Sequence, residues 1–286
     1  MSAPDYSVLF EWVTKREALR VLKSSGAPHP WSDDPILTEF RFCNVRREDD
    51  IGTIWIREHI REPFADHPML WLMLCIARQI NWPDTLAEMI AGKCWPSEPQ
   101  FDPSWITALL NWRKERGAKI YTGAYMISAP STKGADKQAY IAEDVIGGLW
   151  KRRDFLGRFE GATLQRTHER ITQSNGWGQF MAYQAIVDMR FTALLENASD
   201  AQTWAAAGPG TVRGLNRLYG RPVAGGLAQG QALSEMRAIY KIVQQETGVA
   251  MDFSDVPNIL CETDKYLRVR QGEGKPRALY VAGRGS

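Results

Sequence analysis

The sequence has no CxxC pair and no histidine cluster: Cys43, Cys75, Cys94 and Cys261, like His29, His59, His67 and His168, lie singly along 286 residues. That scatter offers no zinc-type site and reads as free thiols in a reducing compartment. No apolar run reaches the roughly 18 residues that a membrane-crossing helix needs. The opening Met1-Ser2-Ala3-Pro4-Asp5-Tyr6 has neither the basic nor the apolar part of a signal peptide, so the expected location is the cytoplasm. Net charge is only +2 at pH 7, too small a surplus to announce a nucleic-acid partner. Repeats, heptads and low-complexity linkers are missing too. One helical domain over residues 1–286 is therefore expected, with two closely packed lobes as the open alternative.

What is present is an ordinary globular balance, 44% hydrophobic and 24% charged residues, with helical spacing nearly throughout. Val8 to Ser24 carries apolar residues at Val8, Leu9, Trp12, Val13, Leu19 and Leu22, and Met69 to Ile80 is almost wholly apolar. Asn81-Trp82-Pro83 ends that second helix. Asp102-Pro103-Ser104-Trp105 opens another that runs to Arg116-Gly117. Further helices are expected at about Lys133–Lys151, Gly161–Gln173, Gln179–Leu195, Val212–Tyr219, Gln231–Glu246 and Val256–Arg270. Between Lys119 and Pro130, irregular or extended chain is expected, and polar atoms near Gly123, with Tyr125, are placed to line a pocket. The fold class is all-α.

Phe42-Cys43-Asn44-Val45-Arg46-Arg47-Glu48-Asp49-Asp50 loads amide, guanidinium and carboxylate groups into a segment that otherwise reads as buried helix. On a helix, Asn44, Arg47 and Asp50 step by three and share about a third of the circumference. A plain surface face, with Arg46 and Asp50 as an i,i+4 ion pair, accounts for the same letters.

Ser174-Asn175-Gly176-Trp177-Gly178-Gln179 forms a Gly-x-Gly turn between two helical stretches, as in a helix-hairpin-helix, where backbone amides approach a phosphate. Gly176, Trp177, Gly178 and Gln184 are the DNA-binding candidates. Trp177, between two glycines, is expected to face a partner, core packing being the alternative. Asp188 lies one turn beyond Gln184 among apolar residues, so it is either functional or paired, with Arg190 or Arg213 as the expected partner.

Gly208-Pro209-Gly210-Thr211-Val212-Arg213-Gly214 looks like an anion loop before a helix starting near Thr211. It lacks the Lys-Ser/Thr ending of a P-loop. Glu262, Lys265 and Tyr266 share a face of the last helix and suit acid-base or anion-binding work, or a surface network. Asp264 with Arg268 reads as an ordinary i,i+4 pair. Lys265, Arg268, Arg270, Lys275, Arg277 and Arg284 crowd the end of the chain, and Lys151-Arg152-Arg153 forms a second basic cluster. Both suit a partner gripped by its phosphates or a solvated surface.

Together these segments, from about Trp31 to Tyr280, resemble the phage and bacterial DNA base-hypermodification family. That family includes the helical domain of 5-hydroxymethyl-deoxyuridine DNA kinases and the alpha-glutamyl/putrescinyl thymine pyrophosphorylases. Its amino acid:DNA transferases are the nearest match. The carriers are Phe42-Cys43-Asn44 with Arg47 and Asp50, Thr122-Gly123-Ala124-Tyr125, Gly176 to Gly178 with Gln184 and Asp188, Gly208-Pro209-Gly210 with Arg213-Gly214, and Leu260-Cys261-Glu262 with Lys265, Tyr266 and Arg268.

The resemblance implies a helix-hairpin-helix, DNA-glycosylase-like fold in which an amino acid such as glycine displaces pyrophosphate from 5-pyrophosphoryloxymethyl-uracil in phage DNA. It implies double-stranded DNA carrying modified uracil and a free amino acid as partners, with a 5-hydroxymethyl-uracil DNA kinase and downstream modifying enzymes alongside, in the cytoplasm of an infected bacterium. No cofactor is expected, Mg²⁺ for the pyrophosphate being left open, and no membrane. Asp188 and Glu262 are the first general-base candidates and Asp50 the third, with Asn44 and Arg47 beside them. Gly208, Gly210, Arg213, Lys265, Tyr266, Arg268 and Tyr125 would hold substrate or phosphate. Trp177 or Tyr125 would support a flipped base. A hydrolytic glycosylase of this fold carries an Asp where this chain has Gly208-Pro209-Gly210, which favours transfer over base excision. The rivals are a glycosylase that excises modified bases and a non-catalytic DNA-binding subunit.

Overall fold

A computed structural model describes residues 4–92, 94–97, 100–122, 136–276 and 278–280. In chain order the helices are α1 (Ser7–Ser24), α2 (Pro35–Glu39), α3 (Ile51–Ile56), α4 (Leu70–Ile80), α5 (Pro83–Ala91), α6 (Pro103–Glu115) and α7 (Lys137–Ala139). There follow α8 (Gly147–Lys151), α9 (Arg153–Leu156), α10 (Leu164–Thr172), α11 (Gln179–Arg190), α12 (Pro209–Leu218), α13 (Gln229–Thr247) and α14 (Val256–Arg270). π-helical turns at Arg57–Arg61 and Tyr140–Ile146 extend α3 and join α7 to α8. Among the described residues there is no strand, only an isolated antiparallel bridge from Phe40 to Leu279. The protein is all-α.

The chain divides into two compact units. A terminal unit combines Met1–Asp50 with Gln202–Ser286, and a middle unit spans Ile51–Ala201. In the terminal unit, α1 turns Leu9, Trp12, Val13, Arg16 and Leu19 inward, the spacing of a single buried stripe. That stripe packs against α14, whose Val256, Ile259, Leu260 and Tyr266 are buried. Helix α12 meets α14 backbone to backbone. A Cβ at Gly214 would lie 2.3 Å from the carbonyl oxygen of Leu260, and one at Gly210 would lie 2.3 Å from Cys261 Sγ. Only hydrogen fits at either place.

The middle unit is organised around α4, buried along its whole length and packed against α11, itself buried from Met181 to Met189. Asn81 ends α4 in the left-handed conformation (φ 46°), and Pro83 starts α5. Asp102 caps α6 by accepting from the Ser104 amide at 2.9 Å, and Gly117 (φ +65°) follows its end. Thr163 caps α10 through the amide of Arg166. These starts and stops match the sequence signals closely. Four differ: α10 starts at Leu164, after Gly161 (φ +60°) breaks the chain before it; α11 stops at Arg190, where the Thr192 hydroxyl turns back onto the Met189 carbonyl; α12 starts earlier than expected, at Pro209; and the helix expected over Lys133–Lys151 is divided into α7, a π-helical turn and α8, residues 133–135 lying outside the described ones.

Candidate functional site

The polar 42–50 segment is not a helix. Phe40 to Arg41 is tied to the chain end by Arg41 N–H to Ala278 O and Tyr280 N–H to Glu39 O, each at 3.0 Å, and only Arg47–Asp49 forms a single 3₁₀ turn. Backbone groups in such a segment need partners from elsewhere, and side chains supply them. Arg16 of α1 donates to Cys43 O (3.0 Å), Phe42 O (3.2 Å) and Asn44 Oδ1 (2.6 Å). Glu262 accepts from the Cys43 amide (2.9 Å), Asp50 from the Asn44 amide (2.8 Å) and Asp255 from the Arg47 amide (2.9 Å). Asn258 donates to Asn44 O at 2.8 Å. Asn44, Arg47 and Asp50 do converge, but around a turn gripped by α1 and α14. Arg46 pairs with Asp49 and Glu17, both at 2.8 Å, and not with Asp50.

Lys265 completes the group, donating to Glu262 Oε2 and to Arg41 O, both at 2.9 Å, with its ammonium 4.6 Å from the Phe42 ring centre. Burial pushes Asp50 up to about 6, opposed by the Asn44 amide and the Arg47 charge. Burial likewise pushes Asp255 up to about 7 against the Arg47 and Asp252 amides. Lys265 ends above its ordinary value, although burial alone would lower it, because the Glu262 carboxylate lies against its ammonium. Burial raises Cys261 to about 11 and Cys43 well above the usual thiol range, so neither is a thiolate at neutral pH. Arg16 is 5% exposed, and its Nη1 has no hydrogen-bond partner among the described residues. The half-buried Asp50 therefore changes protonation near neutrality beside cationic side chains, as a group that takes a proton from an incoming nucleophile must.

Several expected site residues serve structure instead. Asp264 binds Arg213 and Arg217, each through Nε at 2.8 Å, and not Arg268. Arg213 is thus engaged, and Arg217 extends the network to Gln271 and Glu273. Gly208 is the N-cap residue of α12, and Gly210 is a packing position against Cys261, so the 208–210 stretch is a helix start pressed on α14 and not an open anion loop. Tyr266 donates its hydroxyl to Asp34 Oδ2 at 2.6 Å, and Asp34 in turn caps α2, which removes Tyr266 from substrate binding. Arg268 stays partly exposed beside Gly274.

In the middle unit the Gly-x-Gly turn does link two packed helices, α10 and α11. Trp177, however, is 1% exposed and donates Nε1–H to Val145 O at 3.1 Å; it is core, and not presented to a partner. Gly176 (φ +76°) sits so close to Val145 that a Cβ would lie 2.4 Å from a methyl group. Gly178 is the N-cap residue of α11, and Gln184 is buried. Asp188 is fully enclosed, bound by Arg78 through Nε (2.5 Å) and Nη2 (2.7 Å), while Nη2 also reaches Thr53 Oγ1 at 3.0 Å. Its partner is neither Arg190 nor Arg213, and a carboxylate closed in this way has no path to an external amine. Tyr125 lies outside the described residues.

The sequence reading missed Arg16, Asp255 and Asn258. An arginine on the inward stripe of α1 was the available signal for the first, since a buried guanidinium requires acceptors. Asp255 was hidden in the capping box Asp252-Phe253-Ser254-Asp255. Among the described residues no group of three or more His, Cys, Asp or Glu side chains could hold a metal ion, and no helix is long and apolar enough to cross a membrane.

Comparison with known proteins adds a family to this geometry. Residues 4–276 match the family described as the helical domain of 5-hmdU DNA kinase. The 5-hmdU DNA kinase of Bacillus phage SP10 is 22% identical over 269 residues, which cover 85% of this chain and 41% of that protein. The chain thus corresponds to less than half the length of that relative. No solved structure matches.

Proposed function

The chain belongs to the family of 5-hmdU DNA kinase helical domains, and from that premise we propose that it acts in hypermodification of thymine-derived bases in phage DNA. Its reaction in this reading is displacement of pyrophosphate from 5-pyrophosphoryloxymethyl-uracil by an amino acid such as glycine. The observation that carries the reading is Asp50, pushed up to about 6 within a cluster that also holds Arg16, Arg47, Glu262 and Lys265.

The amine nitrogen forms a bond to the exocyclic methylene carbon as the bond from that carbon to oxygen breaks, and pyrophosphate leaves with the electron pair. The proton shed by nitrogen passes to the Asp50 carboxylate, whose pKa near neutrality matches that task. Arg16, Arg47 and Lys265 supply positive charge for the departing oxyanions. Glu262 orients Lys265 and holds the Cys43 amide, which makes it a positioning group in preference to the base. The helix-turn-helix of α10 and α11 fits a helix-hairpin-helix, glycosylase-like architecture, and a kinase acting on 5-hydroxymethyl-uracil would supply the substrate.

The test is mass spectrometry of nucleosides digested from DNA bearing 5-pyrophosphoryloxymethyl-uracil after incubation with the protein and mixed amino acids. An aminoacyl-methyl base supports transfer. An abasic site would mark a glycosylase, and unchanged base would leave a DNA-binding role.

A further inference from the structure

Between Trp150 and Arg170 the middle unit carries six cations, Lys151, Arg152, Arg153, Arg158, Arg166 and Arg170, against three acids, Asp154, Glu160 and Glu169. None of the six makes an ion pair among the described residues; where their hydrogen bonds are defined, the acceptors are neutral oxygens. Arg152 donates to Ser174 Oγ (2.7 Å) and Gln173 Oε1 (3.3 Å), and Arg153 to Trp150 O (3.0 Å). Arg158 donates to Asp154 O (2.9 Å), and Arg170 to Arg158 O (2.8 Å) and Thr167 Oγ1 (3.3 Å). Elsewhere in the protein, Arg20, Arg46, Arg78, Arg213, Arg217 and Arg221 each lie on a carboxylate.

Contacts link Arg152, Arg158 and Arg170 into a ridge, with Lys151 and Arg153 flanking Arg152 in sequence. The guanidiniums of Arg152 and Arg170 lie 5.5 and 6.0 Å from the ring centre of Phe155, which is 45% exposed. Arg153 covers Trp150 at 4.3 Å, and Arg166 lies one turn before Arg170 on α10. A guanidinium resting on a ring keeps its in-plane N–H groups for a phosphate. Arg152 also ties the ridge to the turn between α10 and α11.

We infer that this ridge is the surface that grips duplex DNA by its phosphates. A solvated charged face would show the mixed signs and local ion pairs found elsewhere in this chain. A two-to-one excess of cations that form no ion pair with the three acids of the same stretch, set around an exposed aromatic ring, fits a polyanion. The inference rests on DNA being the substrate, but it does not depend on which chemistry follows.

The test measures binding of a short unmodified duplex by fluorescence anisotropy across a salt series. The variant combines Lys151→Gln, Arg158→Gln and Arg166→Gln, all exposed side chains, with Arg152 and Arg170 retained because they anchor the turn. Each lost phosphate contact should make the salt slope shallower by about 0.9, so the triple variant should lose two to three in slope and on the order of 100-fold in affinity at about 0.15 M salt. A control triple, Lys114→Gln, Arg237→Gln and Lys241→Gln, should keep the wild-type slope. Wild-type slope and affinity in the ridge variant, or equal losses in the control, overturn the ridge. Absence of duplex binding by the wild-type protein overturns the DNA reading and the ridge with it. If the ridge governs binding while no aminoacyl base forms, the surface stands and the transfer reaction falls. Where transfer is seen, the ridge variant should show a raised KM for DNA and an unchanged kcat.

Discussion

Asp188 and Asp50 are both acids set among apolar helices, yet the protein treats them in opposite ways. In the middle unit Asp188 is locked to Arg78 by two short bonds inside α4 and α11, with no exposed surface. In the terminal unit Asp50 stays half-buried, receives one backbone amide, and is shifted towards neutrality because its compensation is incomplete. Full pairing makes a charge part of the scaffold, whereas partial pairing leaves a proton free to move. Burial alone does not separate them: Asp188 is balanced by a guanidinium, whereas Asp50 receives one backbone amide and is raised by its burial.

The comparison is broken most severely at Asp188. Replacing it by Ala leaves the Arg78 guanidinium buried without its partner, and a loss of roughly 3–5 kcal/mol in folding stability is expected, readable by urea unfolding. If Asp188→Ala melts like the wild type while its activity disappears, the scaffold role assigned to it is wrong. Asp50→Asn should do the reverse. Transfer should slow by about two to four orders of magnitude with the melting temperature held, and in the wild type the rate should rise with pH through about 6 as the carboxylate forms. A pH profile unchanged by Asp50→Asn would move the base elsewhere, with Glu262 next.

Gly214→Ala sharpens the contrast between packing and phosphate binding on α12. The added methyl meets the Leu260 carbonyl, so a loss of about 1–3 kcal/mol from overpacking is expected, before any ligand is present. A stable Gly214→Ala protein with impaired phosphate binding would restore the anion-loop reading.

The smallest effect is a pH dependence of stability. Asp255 and Asp50 ionise near 3.8 when unfolded but near 7 and 6 when folded. Between those values the native state holds protons that the unfolded chain has released, so these two groups make stability fall as pH rises from about 4 to 7. Glu17 and Asp34, held below their ordinary values, act in the opposite sense as pH falls. The useful measurement is therefore Asp255→Asn against wild type in melts at both ends of that range. The variant should show the weaker decline, and parallel curves would contradict the assignment.

Helix positions were legible because each signal is local. Periodicity marks the buried stripe of α1, Asp102 marks a cap, and Pro83 and Gly117 mark a start and a stop. The 42–50 segment was misread for the same reason. Its apolar residues are spaced like those of a helix, but the acceptors and donors that hold it extended come from Arg16, Asp255, Asn258 and Glu262, up to 219 residues away. Trp177 and Gly210 were misread because a glycine beside a turn looks alike whether it admits a phosphate or a neighbouring side chain.

Residue order and short-range spacing were enough for the all-α class, most helix boundaries and the family, whereas Asn44, Arg47 and Asp50 come together on a turn held by distant side chains and not on the helix face that their spacing suggested. Only the tertiary structure decided which charges are spent on one another. Asp188 goes to Arg78, Asp264 to Arg213 and Arg217, and Tyr266 to Asp34, while Asp50 receives the Asn44 amide and the defined hydrogen bonds of the 151–170 cations end on neutral oxygens. Electrostatic pairing acts over a few ångströms through space, and residue order does not encode that distance.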